Sequence, residues 1–488
     1  MSVIATGKHY FFDKDLFRKI YLALCILYFI PATLDIERYP LFLCMVWGGI
    51  IIVNDFFTDR EMFKSSYWYL LLMAVGAYLL STIVNYDHAL IRGIYNLIFM
   101  MINFFIVYPV SQKQDRFSVR KKLANFNDIL IVMVFIAGVI SLVMFVFHIS
   151  YVQTIGANEA RQGFIESRLF GVYASPNIGS IFGMLSVMAS LLNNSIKRTK
   201  WHKFSGFYIA NLVVQYLYFT LSSSRGTMLS IVVISFLIAA FIVAPVLNEK
   251  LKNVWKASLY TLLMYAIVMI IATFSTTLLR DNLGYVPSFV QNIESQFTKE
   301  DENSPNEEPK KTNPIHKVAI KHSSDGAEVS SGRFTIWSAG INVFKQNPLL
   351  GITDPEVYRK GRDTSAFVDE TKLSEMDIKE LNRSGGNMHN VYVQTLVNSG
   401  IIGFAIIAVF VLLTLKDNTQ YLLSFKKPTI EYQFFALIFC LLLGILAEDL
   451  VESHILYNNR DVVGIVFWYY LGVFQYVRKD KFQSQEIS

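Results

Sequence analysis

Long apolar runs separated by polar turns make up most of the chain. A membrane-spanning helix needs ~20 mostly apolar residues, because inside hydrocarbon every backbone donor and acceptor must be satisfied within the segment itself. By that measure the pattern predicts about twelve spans, at 17–33, 41–53, 67–84, 94–110, 129–149, 174–192, 204–221, 227–246, 257–279, 389–415, 432–447 and 462–477. The expected fold class is an all-α polytopic membrane protein. Its parts are a first helical block over 1–279, a long insert over 280–388, a second helical block over 389–477 and a tail over 478–488.

Inside the insert, residues 298–332 are rich in Glu, Lys, Pro, Asn and Ser, a composition expected to be disordered or loosely held. The pattern then changes. Phe334, Trp337, Ile341 and Phe344 recur at helical spacing, which predicts an amphipathic helix with Arg333 and Trp337 one turn apart on a shared face. Further on, Ser384-Gly385-Gly386-Asn387 frees the backbone just before His389 and Asn390, which open an apolar helix expected to break at Asn398-Ser399-Gly400.

With 53% hydrophobic and 17% charged residues and a mean hydropathy of +0.39, the composition excludes an ordinary soluble domain. The net charge of +6 has a local origin. Lys113, Arg116, Arg120, Lys121 and Lys122 fall in one set of loops with Lys197, Arg198, Lys250, Lys252, Lys416 and Lys426. Short loops rich in Lys and Arg stay cytoplasmic, so both termini are expected inside and the insert outside. The positive balance therefore reads as orientation, and no nucleic-acid partner is expected. Cys25, Cys44 and Cys440 lie in or beside spans, so no structural disulfide is expected in the insert.

Mid-span polar residues are mild, such as Asn211 and Gln215. Ion-coupled transporters usually hold ionisable residues at mid-depth, so their scarcity counts against a flippase or transporter, although the span number and terminal placement suit that class. Chemistry is better sought outside. Arg161, Arg168, Arg225 and Arg333 all fall on the expected outer face, and the planar guanidinium fork pairs well with phosphate. His389, when neutral, can accept a proton from a hydroxyl. Together these residues make a base and an anion clamp at the level of lipid head groups.

Several stretches carry a resemblance to a known family. Arg168-Leu169-Phe170-Gly171 with Pro176-Asn177, Ser222-Ser223-Ser224-Arg225-Gly226, Gly332-Arg333 with Trp337, and Asn347-Pro348-Leu349-Leu350-Gly351 come first, followed by His389-Asn390-Val391-Tyr392 and Asn398-Ser399-Gly400-Ile401-Ile402-Gly403. In this order they resemble the bacterial O-antigen ligase and polysaccharide polymerase family. The resemblance implies a multi-spanning glycosyltransferase of the GT-C type in the bacterial plasma (inner) membrane, with its active site on the extracytoplasmic face and no metal or other cofactor. It would move glycan from an undecaprenyl diphosphate carrier to an acceptor hydroxyl, with inversion.

By the same resemblance His389 is catalytic and Arg225, Arg333, Arg168 and Arg161 engage the lipid diphosphate, with Trp337, Asn390 and Tyr392 in support. An acidic residue near the outer end of a later span is also implied, and Asp449 and Glu452 both qualify. The implied partners are undecaprenyl-diphosphate-linked oligosaccharide, membrane lipids, a flippase and a chain-length regulator. The expected role is a repeat-unit polymerase, and a ligase that passes finished glycan to another acceptor uses the same parts. A metal-dependent transferase built on Asp35-Ile36-Glu37 or Asp13-Lys14-Asp15 is a further alternative, resting on acid-x-acid triplets alone.

Overall fold

The computed structural model describes residues 10–111, 115–155, 158–197, 205–300, 316–320, 332–354, 368–457 and 460–486, and most of them are helical. The first half of the bundle is α1 (Lys14–Tyr28), α2 (Leu34–Phe57), α3 (Trp68–Val84), α4 (Tyr86–Ile102) and α5 (Arg116–Val146). Next come α6 (Pro176–Lys197), α7 (Gly206–Ser222), α8 (Arg225–Ile238), α9 (Ala244–Leu251), α10 (Val254–Leu283) and α11 (Val286–Glu300). The insert contributes α12 (Arg333–Gln346) and α13 (Glu375–Ser384), and the chain closes with α14 (Val391–Leu423), α15 (Ile430–Glu448) and α16 (Val462–Glu486).

The all-α expectation needs correction. Between α5 and α6 the chain forms a three-stranded antiparallel sheet, β1 (Ser150–Ile155), β2 (Asn158–Ile165) and β3 (Arg168–Gly171). Its strands are too short and too polar to stand out beside the helices. Gly163 marks the bulge where β2 changes register: with φ +90° its position admits no side chain, since a Cβ would lie 2.1 Å from the Ile149 carbonyl oxygen.

Among the described residues, 8 helices are long and apolar enough to cross a membrane. They overlap the expected spans at 41–53, 94–110, 129–149, 174–192, 227–246, 257–279, 389–415 and 432–447. The other four expected spans are also helical. Three are shorter, α1 with 15 residues and α3 and α7 with 17 each. The fourth, α16, is rich in Tyr and Phe around Trp468 and buried on every side from Val462 to Val477. A helix apolar all round belongs in the interior, and α16 packs against α1, α5, α6, α14 and α15. Asn211 and Gln215 are satisfied within the bundle: the Asn211 amide donates to Ser186 and Ser190, and that of Gln215 to the Val134 carbonyl.

The insert has its own small core of Ile336, Ala339, Val343, Ile352, Leu381, Met388 and Val397. The buried face of α12 is therefore Ile336, Ala339, Gly340 and Val343, not the expected stripe of Phe334, Trp337, Ile341 and Phe344. The small residues decide this, because Gly340 lets α12 approach Met388 and Val393 closely, whereas Phe334 is 66% exposed. Of the stretch expected to be loosely held, residues 298–300 end α11 and 316–320 dock on it, with the Ser288 hydroxyl donating to the His316 carbonyl at 2.6 Å. Most of the remainder lies outside the described residues.

Helix α14 breaks at Gly400 (φ 62°, ψ −167°), and the Asn347-Pro348-Leu349-Leu350-Gly351 turn seats on the break. The Ile352 N–H donates to the Val397 carbonyl at 2.8 Å, and the Ile401 N–H to that of Pro348 at 2.8 Å. A Cβ on Gly400 would meet the Leu349 oxygen at 2.2 Å, and one on Gly351, itself at φ +68°, the Val397 oxygen at 2.4 Å. Two glycines thus let two backbones interlock.

Helix α16 depends on a similar close approach, since a Cβ on Gly472 would lie 1.8 Å from the Tyr108 carbonyl oxygen. Gly472→Val is expected to destabilise the protein by ~1–3 kcal/mol or more, as overpacking does. A lowered thermal midpoint in detergent checks it, and an unchanged midpoint would show that the two helices can separate freely.

Candidate active site

The site forms where α14 begins. His389 sits at φ 45°, in the left-handed region, and its N–H donates to the Asn387 side chain at 2.8 Å. The next residue, Asn390, caps α14: its side-chain oxygen accepts from the Tyr392 and Val393 N–H groups at 2.9 and 3.0 Å. The Asn390 amide donates to the Leu450 carbonyl at 2.9 Å, and its N–H to the Ser453 hydroxyl at 3.0 Å. The Val391 N–H reaches the Asp449 and Glu452 carbonyls, and the Tyr392 hydroxyl donates to Leu446. Asn390 and Tyr392, both expected in support of His389, therefore fasten the start of α14 to the loop after α15.

That fastening places one carboxylate between two site residues. Glu452 accepts from His389 Nδ1 through Oε2 at 2.9 Å and from the Arg333 guanidinium through Oε1 at 2.7 Å. An ionised carboxylate only accepts, which assigns a proton to Nδ1; in the neutral imidazole Nε2 is then the acceptor, and in the charged form both nitrogens donate. Burial would raise the Glu452 carboxyl, but the hydrogen bond and charge of His389, with His454 and Arg333, hold it below its ordinary value. Of the two candidate acids, Glu452 is the one on His389.

Asp449 has a different place. It is fully buried, with its side chain accepting from the His454 N–H at 2.9 Å. Burial pushes its carboxyl up to about 8, against the pull of His454. The His454 imidazole, 2.6 Å from Asp461, is raised well above its usual value by Asp461, Asp449 and Glu448, which together outweigh its desolvation. Glu448, Asp461 and His454 were missed at the sequence level. The run Glu448-Asp449-Leu450-Val451-Glu452 at an apolar helix end held the signal, since three acids at the mouth of a span are costly without a role.

The arginines divide. Arg225 opens α8 behind Ser224, which caps that helix after Ser223 takes a left-handed turn. This turn runs against the acids: a Cβ on Gly226 would lie 3.8 Å from Glu448 Oε1 and 4.0 Å from Glu452 Cγ. Arg168, on β3, donates from Nε to the Ser222 carbonyl and from Nη2 to Asn177, both at 2.8 Å. Burial lowers its pKa, and the like charge of Arg225 acts in the same direction. Arg168, Arg225, Arg333 and His389 are thus joined through one turn and one carboxylate. Arg161 is not part of this group, since its ion pairs are to Glu166 and Glu159 within the hairpin.

Trp337 packs edge-on against Phe334 at 5.2 Å, and its indole N–H has no partner among the described residues. No group of three or more His, Cys, Asp and Glu side chains among the described residues is arranged to hold a metal ion. The Asp35 and Glu37 side chains lie outside the described residues, and Asp13 caps α1.

The fold and site define a polytopic membrane protein with a histidine, carboxylate and arginine cluster at one end of its helical bundle. Residues 210–408 match the family model described as O-antigen ligase, and over this segment the chain carries an O-antigen ligase family domain. The activity this family suggests is of the O-antigen ligase or polymerase type, on lipid-linked glycan in a membrane. The match takes in Arg225, Arg333, His389 and the Gly351 and Gly400 interlock, while Arg161, Arg168, Asp449 and Glu452 lie outside it. No curated protein matches the chain.

Two stability effects follow. Asn390→Ala is expected to cost ~1 kcal/mol or more through loss of the cap, read as a lowered thermal midpoint. The Asp449 carboxyl stays neutral in the folded protein up to about 8 but ionises near 3.8 when unfolded, so stability falls as pH rises across that window. Asp449→Asn should flatten this fall in thermal unfolding from about pH 4 to about pH 8; an unchanged slope would contradict it.

Proposed function

We propose that this chain is a polysaccharide polymerase of the extracytoplasmic face of a bacterial plasma membrane. It transfers glycan from an undecaprenyl diphosphate carrier to a hydroxyl of an acceptor lipid-linked repeat unit. The observation that carries this reading is the Glu452 carboxylate shared by His389 and Arg333. A histidine whose Nδ1–H is held by a carboxylate presents Nε2 to a substrate hydroxyl in the orientation a general base needs.

His389 takes the proton of the acceptor hydroxyl as its oxygen attacks the anomeric carbon. The carbon–oxygen bond to the carrier breaks, and its electron pair leaves with the diphosphate, so configuration inverts. Arg225 and Arg168 face that leaving group, where negative charge grows and preorganised guanidinium groups act most strongly. Arg333 keeps Glu452 in place with one arm and has donors left for the same diphosphate. Asn390 and Tyr392 hold the base in register, and Trp337 borders the site one turn along from Arg333. Arg161 is assigned to the hairpin.

The outward placement rests on the distribution of Lys and Arg in short loops. Membrane lipids surround the bundle, and a flippase and a chain-length regulator are proposed partners. The family description favours the ligase as the second reading. Purified lipid-linked repeat units supplied as both donor and acceptor separate the two. A ladder in excess chelator is the expected result, and no product without a different acceptor would make the protein a ligase.

In the same assay His389→Ala should lower the rate by ~10²–10⁴-fold, the usual size of general base catalysis. Arg225→Lys should lower it by ~10²-fold, the effect of losing one charge-stabilising donor. Full-length polymer from inserted His389→Ala protein would contradict the mechanism.

A further inference from the structure

A second opening lies beside the His389 site, a cavity of about 380 Å³ that no sequence motif announced. This is at the low end of the ~300–1,000 Å³ range of small-molecule pockets, room for a monosaccharide and its linkage. Its walls come from Tyr28 at the end of α1, α4, Asp354 after the Gly351 turn, the start of α14 and the loop before α16. Two wall residues also build the candidate active site: Asn387 accepts the His389 N–H, and Ser453 accepts that of Asn390. A chain lying in the cavity would therefore end next to His389.

The lining has the chemistry of carbohydrate recognition. Tyr28, Tyr95 and Tyr457 supply flat apolar faces, and Asn96, Gln394 and Asn398 supply amides suited to hydroxyl groups. Charge adds a further demand. Arg92 is paired with Asp354 at 3.9 Å, but Arg460 has no acidic partner among the described residues. The Arg460 guanidinium lies 4.4 Å from the Tyr28 ring and 5.4 Å from that of Tyr95, and it donates to the Tyr95 hydroxyl. Its Nε is buried without a hydrogen-bond partner among the described residues. A guanidinium fixed between two aromatic rings, with a donor left over, is prepared for a planar carboxylate.

We propose that this cavity holds an acidic sugar of the acceptor glycan, a uronic acid or similar residue, with Arg460 taking the carboxylate and Arg92 adding positive charge beside it. Its role as an acceptor subsite rests on the transferase reading, while the binding itself does not. Selection of an acidic repeat unit would then happen next to the base, not at the diphosphate.

The test is saturation-transfer NMR on the full chain in detergent, with methyl glucuronoside and methyl glucoside as probes. The wild type is expected to bind the uronoside about tenfold more tightly, as one charge-assisted hydrogen bond provides. Arg460→Gln should bring the two sugars within about twofold, and Arg92→Gln should have a smaller effect. If Arg460→Gln does not fold, the wild-type ratio and Arg92→Gln decide. Equal binding of both sugars by the wild type overturns the proposal, as does displacement of the uronoside by inorganic phosphate at the same concentration. Uronoside preference in a protein that transfers no glycan would keep the cavity assignment and remove the transferase reading.

Discussion

One carboxylate organises one end of this bundle. Glu452 takes a hydrogen bond from His389 on one oxygen and from Arg333 on the other, with its side chain only 16% exposed. A carboxylate that far from water is costly unless both oxygens are satisfied by charged or polar donors. The three residues come from the loop after α15, the entry to α14 and the start of α12, so their meeting ties the insert to the membrane helices. Removing Glu452 leaves both His389 and Arg333 without it, whereas removing either donor leaves one carboxylate oxygen unsatisfied.

Backbone fit makes that meeting possible. The Gly351 turn seats in the break at Gly400, which fixes where the insert returns to the bundle, and α3 supports it through Ser81 and Asn85. The Asn390 cap then sets the first turn of α14 against the loop carrying Glu452. His389 occupies a left-handed position between these two constraints, a conformation that persists only where its surroundings over-determine it.

The helical blocks and the break at Asn398-Ser399-Gly400 were legible because they depend on local pattern: apolar runs, turn residues and a polar helix start. The hairpin was not, since its short strands are stabilised by pairing and not by periodicity. The buried face of α12 was misread for a related reason. Aromatic spacing suggested one stripe, but packing selected the smaller residues that allow close approach. The choice between Asp449 and Glu452 depended on a side-chain direction at a helix end, which no spacing encodes. The Arg460 cavity was invisible because its walls lie hundreds of residues apart in the chain.

The central claim is that Glu452 acts through His389, and a double-mutant cycle on kcat/KM tests it most directly. Glu452→Gln, His389→Ala and the double variant are compared with the wild type in glycan transfer. If the two residues work as a unit, the double variant is no slower than His389→Ala alone, as groups acting together are strongly non-additive. Losses that multiply would show that Glu452 contributes independently of His389, and would contradict the account.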